Sequence, residues 1–152
     1  MESNKHSQHM MLAKSVGEIY SKDRSTKVGA VIVGQDGEIL SIGYNGFCRG
    51  FDDAKDANHE RPLKYLLVAH AEANAIYNAA RVGHKLKGSS IYVSSLPTCI
   101  ECTKAIIQSG IDKVFVEAEA LTGDRWKENW PLSQQMYKDC KVELFAIPNL
   151  DV

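Results

Sequence analysis

The sequence predicts an α/β fold, a mixed sheet of five strands with helices on both faces. Three observations carry that expectation. Val28-Gly29-Ala30-Val31-Ile32-Val33 is a nearly continuous apolar, β-branched run, the pattern of a central strand. Gln35-Asp36-Gly37 follows it closely, and an Asp-Gly pair favours a tight hairpin, so the return strand should lie antiparallel. From residue 71 onward helical and strand patterns alternate, which implies right-handed crossovers and parallel neighbours. With 152 residues and 44% hydrophobic content, the chain is expected to form one domain over residues 1–152.

Each element has a local reason. Met10, Met11, Ala13, Val16, Gly17 and Tyr20 recur near helical spacing and predict a helix over 9–20. The turn chemistry of residues 21–25 ends it. The return strand of the hairpin covers 38–43. Residues 45–62 have no period and contain two glycines and three aspartates; they read as a long irregular loop, of a length usually tied to function or mobility. Residues 64–68 are apolar, too short to assign. Alanines dominate 71–82, a helix stopped by Gly83. A strand over 90–94 is broken by Leu96-Pro97-Thr98. A helix over 99–108 is capped by Ser109-Gly110. The fourth strand covers 113–117, and 121–129 is polar and irregular. Pro131 opens a helix at a position proline tolerates, and the last strand covers 141–146.

Composition excludes several classes. The net charge of -1 gives no global basic field for nucleic acid. No apolar run could span a bilayer, and Met1-Glu2-Ser3-Asn4-Lys5-His6 lacks the apolar core of a signal peptide. Four cysteines are too few for a disulfide scaffold, so a cytoplasmic protein is expected. Cys48 and Cys140 read as buried free thiols. His6, His9, His59 and His84 read as surface residues, and a second metal at His59 is the weaker reading.

Two segments carry chemistry. His70-Ala71-Glu72 offers an imidazole and a carboxylate; Cys99-Ile100-Glu101-Cys102 offers two thiols, with Pro97 just upstream. Both open predicted helices, whose free N–H groups and positive dipole end favour thiolates. Residues at i and i+3 share a helix face, so Cys99 and Cys102 can reach one ion. Three such donors suit a tetrahedral Zn²⁺ with its fourth position open, as a catalytic site needs. H-x-E with C-x-x-C is the signature of zinc-dependent nucleobase deaminases. In that chemistry zinc lowers the pKa of a water from about 15.7 toward ~7, and Glu72 moves protons from the water to the ring and to the leaving ammonia. Half of a structural zinc site or a redox pair would also explain C-x-x-C, but neither requires Glu72.

At these residues the sequence resembles the deoxycytidylate (dCMP) deaminases of the cytidine deaminase-like superfamily. The likeness runs over about residues 14–142. It rests on Ser21-Lys22-Asp23, Val28-Gly29-Ala30-Val31-Ile32, Gly43-Tyr44-Asn45-Gly46, His70-Ala71-Glu72 with Asn74-Ala75-Ile76, and Cys99-Ile100-Glu101-Cys102 with Ala105-Ile106-Ile107-Gln108-Ser109-Gly110-Ile111. The resemblance implies a three-layer α/β/α sandwich and a homo-oligomer, often a hexamer. It implies that His70, Cys99 and Cys102 hold one Zn²⁺ per subunit and that Glu72 is the proton shuttle. It also implies that Asn45 contacts the sugar and the Ala71 N–H the base. The phosphate should lie near residues 21–27. There the chemistry of the side chains points to Ser25, Thr26 and Lys27, although an ordinary surface role for Lys27 explains it equally well. Many members respond to dCTP with Mg²⁺ and to dTTP at a site associated with Gly-Tyr-Asn-Gly. One departure stands out: Thr98 occupies the position before the first cysteine where the family usually has proline.

The function so implied is hydrolysis of dCMP to dUMP and ammonia, feeding dTMP synthesis, by a protein with no nucleic-acid or membrane partner. Two alternatives stay open. One is deamination of another base, in cytidine or deoxycytidine, dCTP, guanine or a tRNA adenosine. The other is a non-catalytic module stabilised by zinc. Trp126 and Trp130 could close over a base or simply pack against the last helix, and Arg81 could approach a neighbouring site or be a plain surface residue.

Overall fold

Strand β1 (Gly29–Val33) is buried at every position and paired on both sides, as its unbroken apolar run requires. The computed structural model describes residues 2–122 and 129–148, with side chains from residue 5. Helix α1 (Glu2–Tyr20) precedes β1, and β2 (Ile39–Tyr44) returns antiparallel to it through a turn in which Gly37 adopts φ 87°. Helix α3 (Ala71–Val82), β5 (Ser90–Val93), α4 (Ile100–Gln108), β6 (Lys113–Glu117), α5 (Trp130–Asp139) and β7 (Glu143–Ile147) complete the alternation. The five strands lie in the order β2-β1-β5-β6-β7. β5, β6 and β7 are parallel, whereas β5 meets β1 antiparallel. The parallel expectation therefore holds for the last three strands only. The reason is topological: α3 carries the chain from the edge strand β2 past β1, so β5 runs the way β2 does.

The sheet has a core on each face. Helix α1 covers one with Met10, Ala13 and Val16, packed on Val31, Val33, Tyr92 and Phe115. Helices α3, α4 and α5 cover the other, where Ala30, Ile32, Ile91 and Val93 meet Ala71, Ala75, Ala79, Ile106 and Tyr137. The result is the three-layer α/β/α sandwich. Gly43 sets the position of α3. A Cβ there would run into the Ala71 carbonyl and the Ala75 amide, so helix and strand lie backbone to backbone. Ser41 Oγ adds a hydrogen bond to the Ala75 carbonyl at 2.6 Å.

Several expectations change. Helix α1 begins at Glu2, a full two turns before residue 9, through a polar stretch without an apolar stripe. The segment 45–62 is partly ordered: β3 (Gly46–Phe47) is followed by a 3₁₀ turn at Asp56–His59. The unassigned apolar segment is α2 (Leu63–Leu67) running into β4 (Val68–Ala69), which pairs antiparallel with β3. These two-residue strands are too short to show a period. Cys48 and Cys140 are exposed, not buried, because one lies in the turn after β3 and the other caps α5. His84 is exposed, but His6, His9 and His59 are half-buried. His6 stacks on Phe115 with centroids 4.5 Å apart, and its Nδ1 lies 2.6 Å from the Tyr92 hydroxyl. Trp130 packs in the core; Trp126 and part of the segment 121–129 lie outside the described residues. Among the described residues no helix is long and apolar enough to cross a membrane.

Candidate active site

Two helix starts meet. His70 precedes α3 as its N-cap residue in extended conformation, directly after β4. Cys99 is the N-cap of α4, and its Sγ accepts the Cys102 N–H at 3.4 Å. Packing of α3 against α4 brings the two ends together. His70 Nδ1 lies 3.3 Å from Cys99 Sγ and 3.5 Å from Cys102 Sγ. The three donor atoms all fall within 4.8 Å of one another, and among the described residues no other group of this kind occurs.

This triangle fits zinc. Zn–S bonds of about 2.3 Å and Zn–N bonds of about 2.0 Å make the S···N edge of a tetrahedron about 3.5 Å. The donors already stand at nearly that separation. One imidazole and two thiols are also the donor types zinc prefers. Three ligands leave a fourth position for water.

The charges agree with this arrangement. The Cys102 thiol donates toward Cys99 and lowers its thiol pKa; burial opposes that shift, and the hydrogen bond to His70 adds to it. Cys102 is pushed far up by the same bond and by burial. Glu72, in the first turn of α3, is buried. Its carboxyl is pushed up because burial penalises the charged form.

A pocket opens beside these groups. His70, Ala71, Glu72, Pro97 and Cys99 form one part of its lining; Asp23, Ser25, Thr26, Arg61 and Lys64 form another. Lys64 reaches in from α2. Its Nζ donates to Asp23 Oδ1 at 2.9 Å and to Ser25 Oγ at 2.8 Å. Asp23 Oδ1 also accepts the Ser25 and Thr26 N–H groups, at 2.9 and 3.0 Å. Burial works against the Asp23 charge, but the Thr26 and Ser25 N–H groups and the Lys64 ammonium outweigh it and hold the carboxyl at about 2.

Asn45 lines the same pocket and is buried. Its Oδ1 accepts Ser21 Oγ at 2.7 Å and the Val28 N–H at 2.9 Å, and its Nδ2 donates to the Thr26 carbonyl at 2.8 Å. Those partners fix the amide orientation, because a flip would set donor against donor. One Nδ2 hydrogen is left over by these bonds. Ser25 and Thr26 are in the pocket, whereas Lys27 is exposed and outside its lining. The cations that line it are Lys64 and Arg61, which the residue pattern did not single out. A lone lysine inside an apolar run six residues before His70 was the available signal.

The chain matches the family described as the cytidine and deoxycytidylate deaminase zinc-binding region over residues 3–118. It is 42% identical to an uncharacterized deaminase of Aliivibrio fischeri over 144 residues, covering 93% of this chain and 91% of that protein. It is 44% identical to the deoxycytidylate deaminase of Mus musculus over 100 residues, covering 62% of this chain; it spans only 54% of the mouse protein. Among solved structures, the dCMP deaminase of cyanophage S-TIM5 in complex with dCMP and dUMP is 26% identical and superposes with a TM-score of 0.74. That match covers 95% of this chain and 97% of the phage chain.

Proposed function

This chain belongs to the cytidine and deoxycytidylate deaminases, and from that membership we propose that it hydrolyses dCMP to dUMP and ammonia. The observation that carries the choice of substrate is the pocket. It joins the His70–Cys99–Cys102 triangle and buried Glu72 to a buried lysine and two hydroxyl side chains, in a chain similar to a phage enzyme solved with dCMP and dUMP.

In this reading His70 Nδ1 and the Cys99 and Cys102 thiolates hold Zn²⁺, which when bound acidifies a water and supplies the nucleophile near neutral pH. The remaining chemistry falls to the chain's own groups. Glu72 takes one proton from the water and passes it to N3 of cytosine, then takes the second and passes it to the 4-amino group. The water oxygen ends bonded to C4, the C4–N bond breaks, and ammonia leaves. Burial raises the Glu72 pKa and so strengthens the carboxylate as the base that takes the water proton. The Ala71 N–H, at the first turn of α3 without a helical acceptor, receives the base. The spare Nδ2 hydrogen of Asn45 meets the sugar. The phosphate sits against Ser25, Thr26, Lys64 and Arg61, so Lys27 gives up the role that its charge had suggested.

Regulation and assembly belong to the same proposal. A second cavity lies beside Tyr44, Asn45 and Gly46 and is lined by Lys22, Arg49 and His59. It supports a dCTP effector site with Mg²⁺. Exposed Leu66, Tyr77 and Val82 support a homo-oligomer, which the resemblance makes a hexamer. A cytoplasmic role feeding dTMP synthesis completes the reading.

The test is ammonia release by zinc-loaded protein offered dCMP, deoxycytidine, CMP and dCTP, each with and without added effectors. Preferential turnover of dCMP is the expected result. Turnover of none of them would overturn the substrate assignment.

A further inference from the structure

Behind Cys99 lies a group of hydroxyls that this chemistry does not use. Thr98, Thr103, Ser133 and Tyr137 are each at most 1% exposed. Tyr137 OH stands 2.7 Å from Thr98 Oγ1, which stands 3.0 Å from Thr103 Oγ1. Thr103 Oγ1 in turn donates to the Cys99 carbonyl at 2.8 Å. A hydroxyl has one proton, and a carbonyl has none to give. Thr103 therefore spends its proton on Cys99 and must accept from Thr98. Thr98 has then spent its own and must accept from Tyr137. The bonds run one way, from α5 through Thr98 and Thr103 to Cys99.

The end of this chain matters because Cys99 supplies one of the three donor atoms. Its carbonyl receives the Thr103 N–H as well, at 2.8 Å. Ser133 Oγ, also on α5, donates to the Thr98 carbonyl at 3.4 Å. The peptide planes on both sides of the Cys99 Cα are thus tied, one to α5 and one to α4. With its backbone fixed, the Cys99 Sγ has only its own χ1 left to set.

We propose that Tyr137, Thr98 and Thr103 are positioning residues for the zinc centre, a directed hydroxyl relay that holds the Cys99 backbone so that its thiolate is presented at ligand distance. The inference rests on the reading of His70, Cys99 and Cys102 as zinc ligands. The relay does the work at Thr98 through a hydroxyl where a proline would act through its ring. It should also behave as a unit, since removing Thr98 Oγ1 strands the Tyr137 proton in a buried site.

The test compares wild type with Tyr137→Phe, Thr98→Val and Thr98→Ser. It measures zinc affinity by chelator competition and the visible absorption spectrum with Co²⁺ bound. Tyr137→Phe and Thr98→Val are expected to weaken zinc binding about tenfold, as loss of groups that orient a ligand does, and to shift the Co²⁺ bands. Thr98→Ser keeps the hydroxyl and should stay within about twofold of wild type on the same grounds. The double variant should be no worse than Thr98→Val alone. Melting temperatures that fall while zinc affinity and the Co²⁺ spectrum stay unchanged would overturn the relay, as would Thr98→Ser failing as badly as Thr98→Val. Should Thr98→Val not fold, Tyr137→Phe decides alone. If wild type takes up no zinc, the ligand assignment itself falls and the relay with it; if wild type takes up zinc and the variants hold it equally well, only the relay falls.

Discussion

Replacing Lys64 with methionine separates phosphate recognition from chemistry. The variant keeps the unbranched stem, one atom shorter, and removes its charge. In the folded protein the ammonium serves Asp23 and Ser25, at 2.9 and 2.8 Å, and faces the pocket with whatever donor capacity remains. A hydrogen bond to a charged group is worth about 1.5–3 kcal/mol. Because two of the three ammonium hydrogens are already spent, the lower end applies, about 1.5–2 kcal/mol. At about 1.4 kcal/mol per tenfold, kcat/KM for dCMP should fall roughly 10- to 30-fold. Deoxycytidine has no phosphate to lose, so its kcat/KM should change less than about threefold on the same scale. Breaking the buried pair leaves Asp23 held by the Ser25 and Thr26 N–H groups and the Ser25 hydroxyl. Loss of one partner of a buried pair costs up to about 3–5 kcal/mol, and the surviving bonds reduce that. Circular dichroism and zinc content confirm that the assay reads folded enzyme. An equal loss on dCMP and deoxycytidine would refute the reasoning, since Lys64 would then act only by holding the loop.

Other outcomes follow from the same geometry. Glu72→Gln should retain zinc and fold while ammonia release from dCMP falls by about 10²–10⁴-fold or more; surviving activity would overturn the proton-shuttle role. Asp23, held at about 2 against an ordinary carboxylate value of 3.8, contributes stability that is fully present above its unfolded pKa and is lost as pH falls toward 2. Asp23→Asn should flatten the melting temperature between about pH 4 and pH 2 relative to wild type, and an unchanged acid limb would contradict the assignment. Gly43→Ala should destabilise the protein and lower zinc retention together, because the new methyl meets the α3 backbone that carries His70 and Glu72. A variant with wild-type melting and metal content would show that α3 has room to move.

The parts of the fold that could be read from the sequence are those whose cause is local. The 71–82 helix was legible to the residue because alanine spacing, the absence of breakers and Gly83 in left-handed conformation all agree within one segment. β6 was legible for the same reason, as a short β-branched run between a turn and a polar stretch. The start of α1 was not, because its first two turns are polar and carry no apolar stripe, while contacts such as His6 on Phe115 are made across the fold. β3 and β4 were hidden because two-residue strands exist only through each other. The site divides along the same line. His70, Glu72, Cys99 and Cys102 are each placed by a helix start that the sequence announces, so their meeting needs only α3 to pack on α4. The cation is different. Lys27 is adjacent in sequence to the turn it was expected to serve, whereas Lys64 arrives from α2, 41 positions from Asp23. Burial is what distinguishes them. An exposed lysine gains little from a charge nearby. A lysine drawn into a pocket beside a carboxylate is held there by the cost of leaving either charge alone. The same accounting explains why the hydroxyl relay escaped a sequence reading. Tyr137 and Thr98 are separated by 39 positions, and each taken singly is an ordinary buried residue. Only the rule that every buried hydroxyl must place its one proton turns the group into a directed chain ending at a ligand.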